Sequence, residues 1–203
     1  MGIRSCLSFF LFIAAVATQA QSDNCDLKRD RDGIKVYTCK SDNDKFKSLR
    51  AEFVLENVTV QELETFLRDV PNYPMWQYNM VKAEILESRG EKEIVYRSEV
   101  DAPWPVEDRE LLMRFWSEKD EAGNTYFNME NTSYSYPLNE DLVRVPYMKG
   151  RWKVITTSNN TLKINYVMHI NPGGMVPAWL VNIAMAEGPH HSFKNLREQL
   201  YKK

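Results

Sequence analysis

The stretch "TLKINYVMHINPGGMVPAWLVNIAMAEGPHHSFKNLREQLYKK", residues 161–203, changes its period halfway along, and that change decides the fold. Leu162, Ile164, Tyr166, Met168 and Ile170 alternate with Lys163, Asn165, Val167 and His169, which is the pattern of a half-buried strand. Beyond "NPGG" the apolar spacing lengthens. Trp179, Ile183, Ala186, Phe193, Leu196 and Leu200 make a helical stripe, with glycines and a proline at its entrance. Gly188-Pro189 predicts a bend in that long helix, because an interior proline removes one hydrogen bond and crowds the preceding turn.

Working back from residue 161, the chain reads as strands as far as Val81. "VKAEILESR", "EIVYRSEV", "RELLMRFWSEK", "TYFNMEN" and "DLVRVPYMKGRWKVITT" are separated by Gly90, by "VDAPWPVED", by "DEAGN" and by Thr132 to Glu140, and "SNN" leads into the last strand. Consecutive strands joined by short turns predict an antiparallel meander. Further back, Thr59 and Glu62 make a capping box for "VQELETFLRDV", whose Val60, Leu63, Phe66 and Leu67 share a helical face. Pro71 and Pro74 end that helix, so the helical interruption runs from about Val60 to Met75. Leu49, Ala51, Phe53 and Leu55 before it alternate as in a strand. The expected fold is α+β: a curved antiparallel sheet of about nine strands wrapped around a long C-terminal helix, with a space between them where function should live.

Near the N-terminus, "CDLKRDRDGIKVYTC" places turn chemistry at "DRDG". A hairpin centred on Asp32 pairs residues whose numbers sum to 64, so Cys25 faces Cys39 and a disulfide is expected in an oxidising compartment. "MGIRSCLSFFLFIAAVATQA" has a basic start at Arg4, an apolar run from Leu7 to Val16 and small residues at Ala17 and Ala20. That is the layout of a signal peptide over residues 1–20, the run being well short of the roughly 20 apolar residues of a membrane span. The mature chain then fits one domain over residues 25–201, secreted or periplasmic. A net charge of -2 with 27% charged residues provides no basic surface for nucleic acid. The sequons at Asn57, Asn131 and Asn159 would matter only in a eukaryotic secretory pathway.

Catalytic chemistry is sparse. His190 and His191 are neighbours on a helix and point about 100° apart, which suits a surface role better than shared ligation of one ion. His169 lies on the polar face of its strand. Glu99 and Asp101 share a strand face and could form a carboxylate pair of raised pKa, though such a pair is more often a solvated outer face or the partner of a nearby arginine, here Arg109 or Arg114. There is no phosphate loop, nucleophile elbow or metal-ligand spacing, so neither a cofactor nor a metal is called for. Soft apolar side chains are plentiful instead: nine Met, nine Phe, ten Tyr and five Trp. A methionine-rich, aromatic interior suits an adaptable apolar cavity. Burying about 400 Å² of a ligand there would supply on the order of 10 kcal/mol gross, before ordering costs.

Five motifs, in order, give the chain a resemblance: "DRDGIKVYT" at 30–38, Trp76, "VYRSEVDAPWPVEDRELL" at 95–112, "VRVPYMKGRWKV" at 143–154 and "NPGGMVPAWLVN" at 171–182. Together they resemble the START (StAR-related lipid transfer) domain family from Cys25 to Leu200, in an exported bacterial-type variant. The resemblance implies a helix-grip fold that binds one lipid or other hydrophobic molecule between sheet and last helix, for transport or sensing, without catalysis. The alternative is a polyketide cyclase-like enzyme on the same fold. It also implies that the loop from Asp101 to Glu107 covers the tunnel mouth. Tyr96 and Phe115 stand where sterol-binding members carry a buried Glu/Arg pair, which argues against a sterol.

On this fold the inward, lipid-binding positions are expected at Tyr96, Ser98, Val100, Met113, Phe115, Phe127, Met129, Trp152, Tyr166 and Met168. Trp179, Asn182, Ile183 and Ala186 close the cavity from the helix, with Met175 at its entrance. Trp104 is expected to form a gate with Gly173 and Gly174. The expected partners are a lipid or hydrophobic small molecule and, transiently, a membrane surface. The chain is expected to act as a monomer.

Overall fold

A computed structural model describes residues 25–40, 47–91, 93–158 and 160–202, so the expected signal peptide lies outside the described residues. The chain runs β1 (Cys25–Arg31), β2 (Ile34–Cys39), β3 (Lys47–Leu55), α1 (Val60–Arg68), a 3-10 turn (Val70–Met75), β4 (Met80–Arg89), β5 (Glu93–Val100), β6 (Arg109–Lys119), β7 (Thr125–Asn131), β8 (Val143–Arg144), β9 (Tyr147–Ser158), β10 (Thr161–Asn171) and α2 (Ala178–Leu200). Nine strands form one antiparallel sheet in the order β1-β2-β3-β10-β9-β7-β6-β5-β4. The meander is broken once, where α1 and the 3-10 turn carry the chain from β3, inside the sheet, to β4 at its edge.

The hairpin at the other edge turns through Asp32 (φ 54°) and Gly33 (φ 71°), both left-handed, as a two-residue turn requires. Its inner pairs, such as Arg31 with Ile34, sum to 65 rather than 64, so the hairpin is centred half a residue later than expected. An irregularity between Leu27 and Arg29 absorbs one residue, and beyond it Cys25 does face Cys39. The two are bridged, with Cα atoms 3.9 Å apart.

Thr59 caps α1 as its sequence requires: the Glu62 amide donates to its hydroxyl, and the Glu62 carboxylate accepts from the Thr59 amide. The two prolines do not stop α1, which ends at Arg68; they sit inside the 3-10 turn that follows. The Tyr73 hydroxyl donates to the Leu67 carbonyl at 2.5 Å and ties turn to helix. What read as one strand from Asp141 to Thr157 is two. Pro146 separates β8, which pairs in parallel with β6, from the long β9.

The core lies between the concave face of the sheet and α2. Leu49, Ala51, Phe53, Trp152, Ile164 and Tyr166 face Phe193, Leu196 and Leu200 of the helix, all of them buried. Phe193 stacks on Phe53 at 4.9 Å and meets Trp152 and Tyr166 edge-on. α2 is a single element with Pro189 inside it, and Ser192 Oγ donates to the Gly188 carbonyl. Its second half is held from both sides. His190, expected at the surface, is buried against the hairpin, with Nε2 3.2 Å from the Arg31 carbonyl and 3.4 Å from Asp32 Oδ2. Arg29 pairs with Glu187 beside it. On the far side the Tyr78 amide donates to Ser192 Oγ, and the Tyr78 ring stacks on His191. No helix among the described residues is long and apolar enough to cross a membrane.

Candidate functional site

Between sheet and helix lies a cavity of about 310 Å³. It falls within the range of pockets that enclose small molecules. Strand alternation explains its walls. Tyr96, Ser98 and Val100 of β5 point inward beside Arg109, Leu111 and Met113 of β6, because Val100 pairs with Arg109 and Ser98 with Leu111. Met129, Trp152, Tyr166 and Met168 continue the wall across β7, β9 and β10. Trp76, Tyr78 and Met80 close one side, and Leu180, Pro189 and Phe193 come from α2.

Other expected site residues lie elsewhere. Phe115 and Phe127 face inward but sit wholly in the core, stacked on each other at 6.0 Å beneath Arg68 of α1, and neither lines the cavity. Ala186 is half-buried and also outside the lining. Trp179, Asn182 and Ile183 belong to α2, but their side chains lie outside the described residues. Trp104 and Met175 point into solvent, 89% and 97% exposed, while their loop neighbours Pro103, Val106, Pro172 and Val176 form the mouth. Gly173 and Gly174 are both left-handed, and a Cβ on Gly173 would come within 3.0 Å of Pro146.

The wall is mainly apolar, and its polar groups include the buried phenols Tyr96 and Tyr166. Burial raises the phenol pKa of Tyr96 and Tyr166, so both stay protonated. Neither hydroxyl has a hydrogen-bond partner among the described residues, whereas Tyr73, also raised by burial, has Leu67. Of the carboxylates, Asp101 stands at the rim, its amide bonded to the Asn79 carbonyl. Glu99 turns to the outer face and accepts from Arg97 rather than from Arg109 or Arg114, the two partners the sequence offered. Arg114 pairs with Glu130 and Glu93.

That outward side of β5 and β6 carries a second buried polar group. Glu110 accepts from Arg97 Nε at 2.5 Å through one oxygen and from Arg144 Nε at 2.7 Å through the other. Arg144 also donates to the carbonyls of Tyr136 and Pro137, and the Tyr136 ring covers Arg97 at 5.2 Å. The segment between β7 and β8 is thereby strapped over the convex face. A buried Arg/Glu pair therefore exists on neighbouring strands, but outside the cavity, with Tyr96 and Phe115 on the inner face. Among the described residues no group of His, Cys, Asp and Glu could hold a metal, and no histidine lines the cavity. His169 instead lies 2.7 Å from Ser48 Oγ on the outer face.

Comparison with known proteins agrees with this geometry. A family model described as START domain matches residues 19–202. The crystal structure of a STAR-related lipid transfer protein from Xanthomonas axonopodis superposes with a TM-score of 0.80 at 29% identity, covering 89% of this chain and 100% of that one. An uncharacterised protein of Pseudomonas aeruginosa is 27% identical over 94% of each chain. The phosphatidylcholine transfer protein of Bos taurus is 25% identical over 88% of this chain and 85% of its own length. A Streptomyces aromatase/cyclase shares the fold at 14% identity, with a TM-score of 0.52 over 76% of this chain and 93% of its own.

Proposed function

The chain belongs to the START domain family, and from that premise we propose that it binds a single lipid or other hydrophobic molecule in the cavity between sheet and α2, for transport or sensing. The observation that carries this is the cavity itself: an apolar space with few polar groups, bounded by rigid strands and by a helix pinned at its second half. Binding without catalysis accounts for that lining. The cyclase alternative needs an acid or base beside the reacting carbon. Glu99 faces away, and Asp101 stands at the rim with no histidine beside it among the described residues.

The rest of the reading is a mature domain over residues 25–201, released from a signal peptide into an oxidising compartment, periplasmic or extracellular, where the Cys25–Cys39 bridge is stable. It works as a monomer that touches membranes transiently. Trp104 and Met175 project from the two loops at the mouth, and large exposed apolar side chains so placed suit insertion into a lipid surface. Trp104 and the Gly173-Gly174 turn make the gate.

Native mass spectrometry of protein purified from its own host tests the central claim: one bound lipid per chain is expected, and ligand-free protein that takes up no lipid from vesicles refutes it. For the gate, a disulfide engineered between the β5–β6 loop and the β10–α2 loop should abolish uptake until it is reduced. Unchanged uptake would rule the gate out.

A further inference from the structure

Among the described residues Arg109 is the one basic residue lining the cavity, and it is 8% exposed. It occupies the first position of β6, opposite Val100, on the inward face at the mouth. A guanidinium has five N–H donors and is costly to bury without a counter-ion. Nη1 donates to the Glu107 carbonyl, and no carboxylate among the described residues forms an ion pair with Arg109. Burial accordingly pulls its pKa down, opposed in part by the nearby charges of Glu107 and Asp108. Asp108 spends its Oδ1 on the Ala102 amide. The other two arginines of β5 and β6 are different: Arg97 and Arg114 each have carboxylate partners. Gly174 lies alongside, and a Cβ there would be 3.9 Å from Arg109 Nη2, so the helix entrance closes over the guanidinium. The hydroxyls of Tyr96 and Tyr166 add two donors without an acceptor among the described residues.

We propose that the ligand supplies the missing counter-ion: an acidic lipid whose oxyanion, a phosphodiester or a carboxylate, is held by Arg109 at the mouth while its chain fills the apolar wall. The planar fork of arginine matches both groups. This rests on the lipid-binding reading and names the substrate class for the same cavity.

Purified protein is tested against dioleoylphosphatidylglycerol, oleate and dioleoylglycerol, and separately against inorganic phosphate. The wild type should bind at least one of the two acidic lipids about tenfold more tightly than dioleoylglycerol, as expected for one charge-assisted hydrogen-bonding contact. Arg109→Gln should bring that ratio to near one, and Arg109→Lys should keep part of it. Equal wild-type affinity for acidic and neutral lipids overturns the proposal without touching lipid binding, and it does so even if the variants fail to fold. An unchanged ratio in a folded Arg109→Gln also overturns it. Thermal stabilisation by phosphate alone, equal to that by phosphatidylglycerol, makes the site one for a free anion and refutes the headgroup assignment. Binding of none of the lipids refutes the lipid reading itself, and the proposal falls with it.

Discussion

Gly150 pairs with Met129 on β7 and with Met168 on β10, where the sheet is covered by cavity side chains. A Cβ there would lie 2.8 Å from Met129 Cγ and 3.2 Å from the Tyr166 hydroxyl. Gly150→Ala must push Met129 into the cavity. It should destabilise by about 1–3 kcal/mol, as overpacking does, and should lower lipid capacity in the same protein, measured by thermal unfolding and by lipid uptake. Glu110 is a second sensitive position, because it is buried and its two oxygens neutralise the buried Arg97 and the half-buried Arg144. Glu110→Ala should cost about 3 kcal/mol or more in denaturant unfolding while leaving lipid selectivity alone, since the cluster lies on the other side of the sheet. At this scale the sequence was legible in direction but not in depth. Alternation turned Tyr96, Met113, Phe115 and Phe127 inward alike, yet only the first two meet the cavity, because α1 covers the far end of β6, with Arg68 over Phe115 and Glu64 accepting from Ser117, and Phe127 stacks on Phe115 there. Trp104 could not be placed from periodicity, since a loop between prolines has none. Arg109 was legible only as a charge near a carboxylate pair; its inward position opposite Val100 is set by the register of β5 and β6.

The β1–β2 hairpin does more than finish a sheet edge. Through Arg29, Arg31 and Asp32 it grips Glu187 and His190 of α2, and the disulfide holds its open end. The bridge spans 14 positions, and closing a loop of that size is worth roughly 3 kcal/mol in the chain-entropy model. Cys39→Ala, paired with Cys25→Ala, should therefore lower stability by about that amount. Hydrogen exchange should quicken in the second half of α2 as well as in the hairpin. Exchange quickened in the hairpin alone would show that the grip on the helix is independent of the staple. Elements were the most legible level. The capping box, the 2-residue period of β10 and the stripe of α2 each have a local physical cause. The break at Pro146 and the half-residue shift of the hairpin arise where neighbouring strands decide, and neighbours are not local.

In the molecule as a whole, three phenols are buried among the described residues: Tyr96 and Tyr166, which line the cavity, and Tyr73, which packs edge-on to Tyr96. Burial raises all three above the ordinary tyrosine value. The folded state thus keeps protons that the unfolded chain gives up above about pH 10. Stability should be unaffected by these groups below that pH and should then fall, with a slope of up to about 1.4 kcal/mol per pH unit for each phenol. Chemical unfolding between pH 9 and 11 measures it, and Tyr96→Phe should make the fall shallower.

The crossover through α1 leaves β3 waiting for a partner far along the chain. Leu55 ends beside Leu162, Ala51 beside Tyr166 and Leu49 beside Met168. Every strand between them must be made before that seam can close, and α2 follows later still. Such distant pairings slow folding, because loop-closure entropy is lost before contacts reward it. A chain of this topology stays open until β10 has been made, which suits the proposed export, since a nascent copy would enter a translocation channel without first having to unfold.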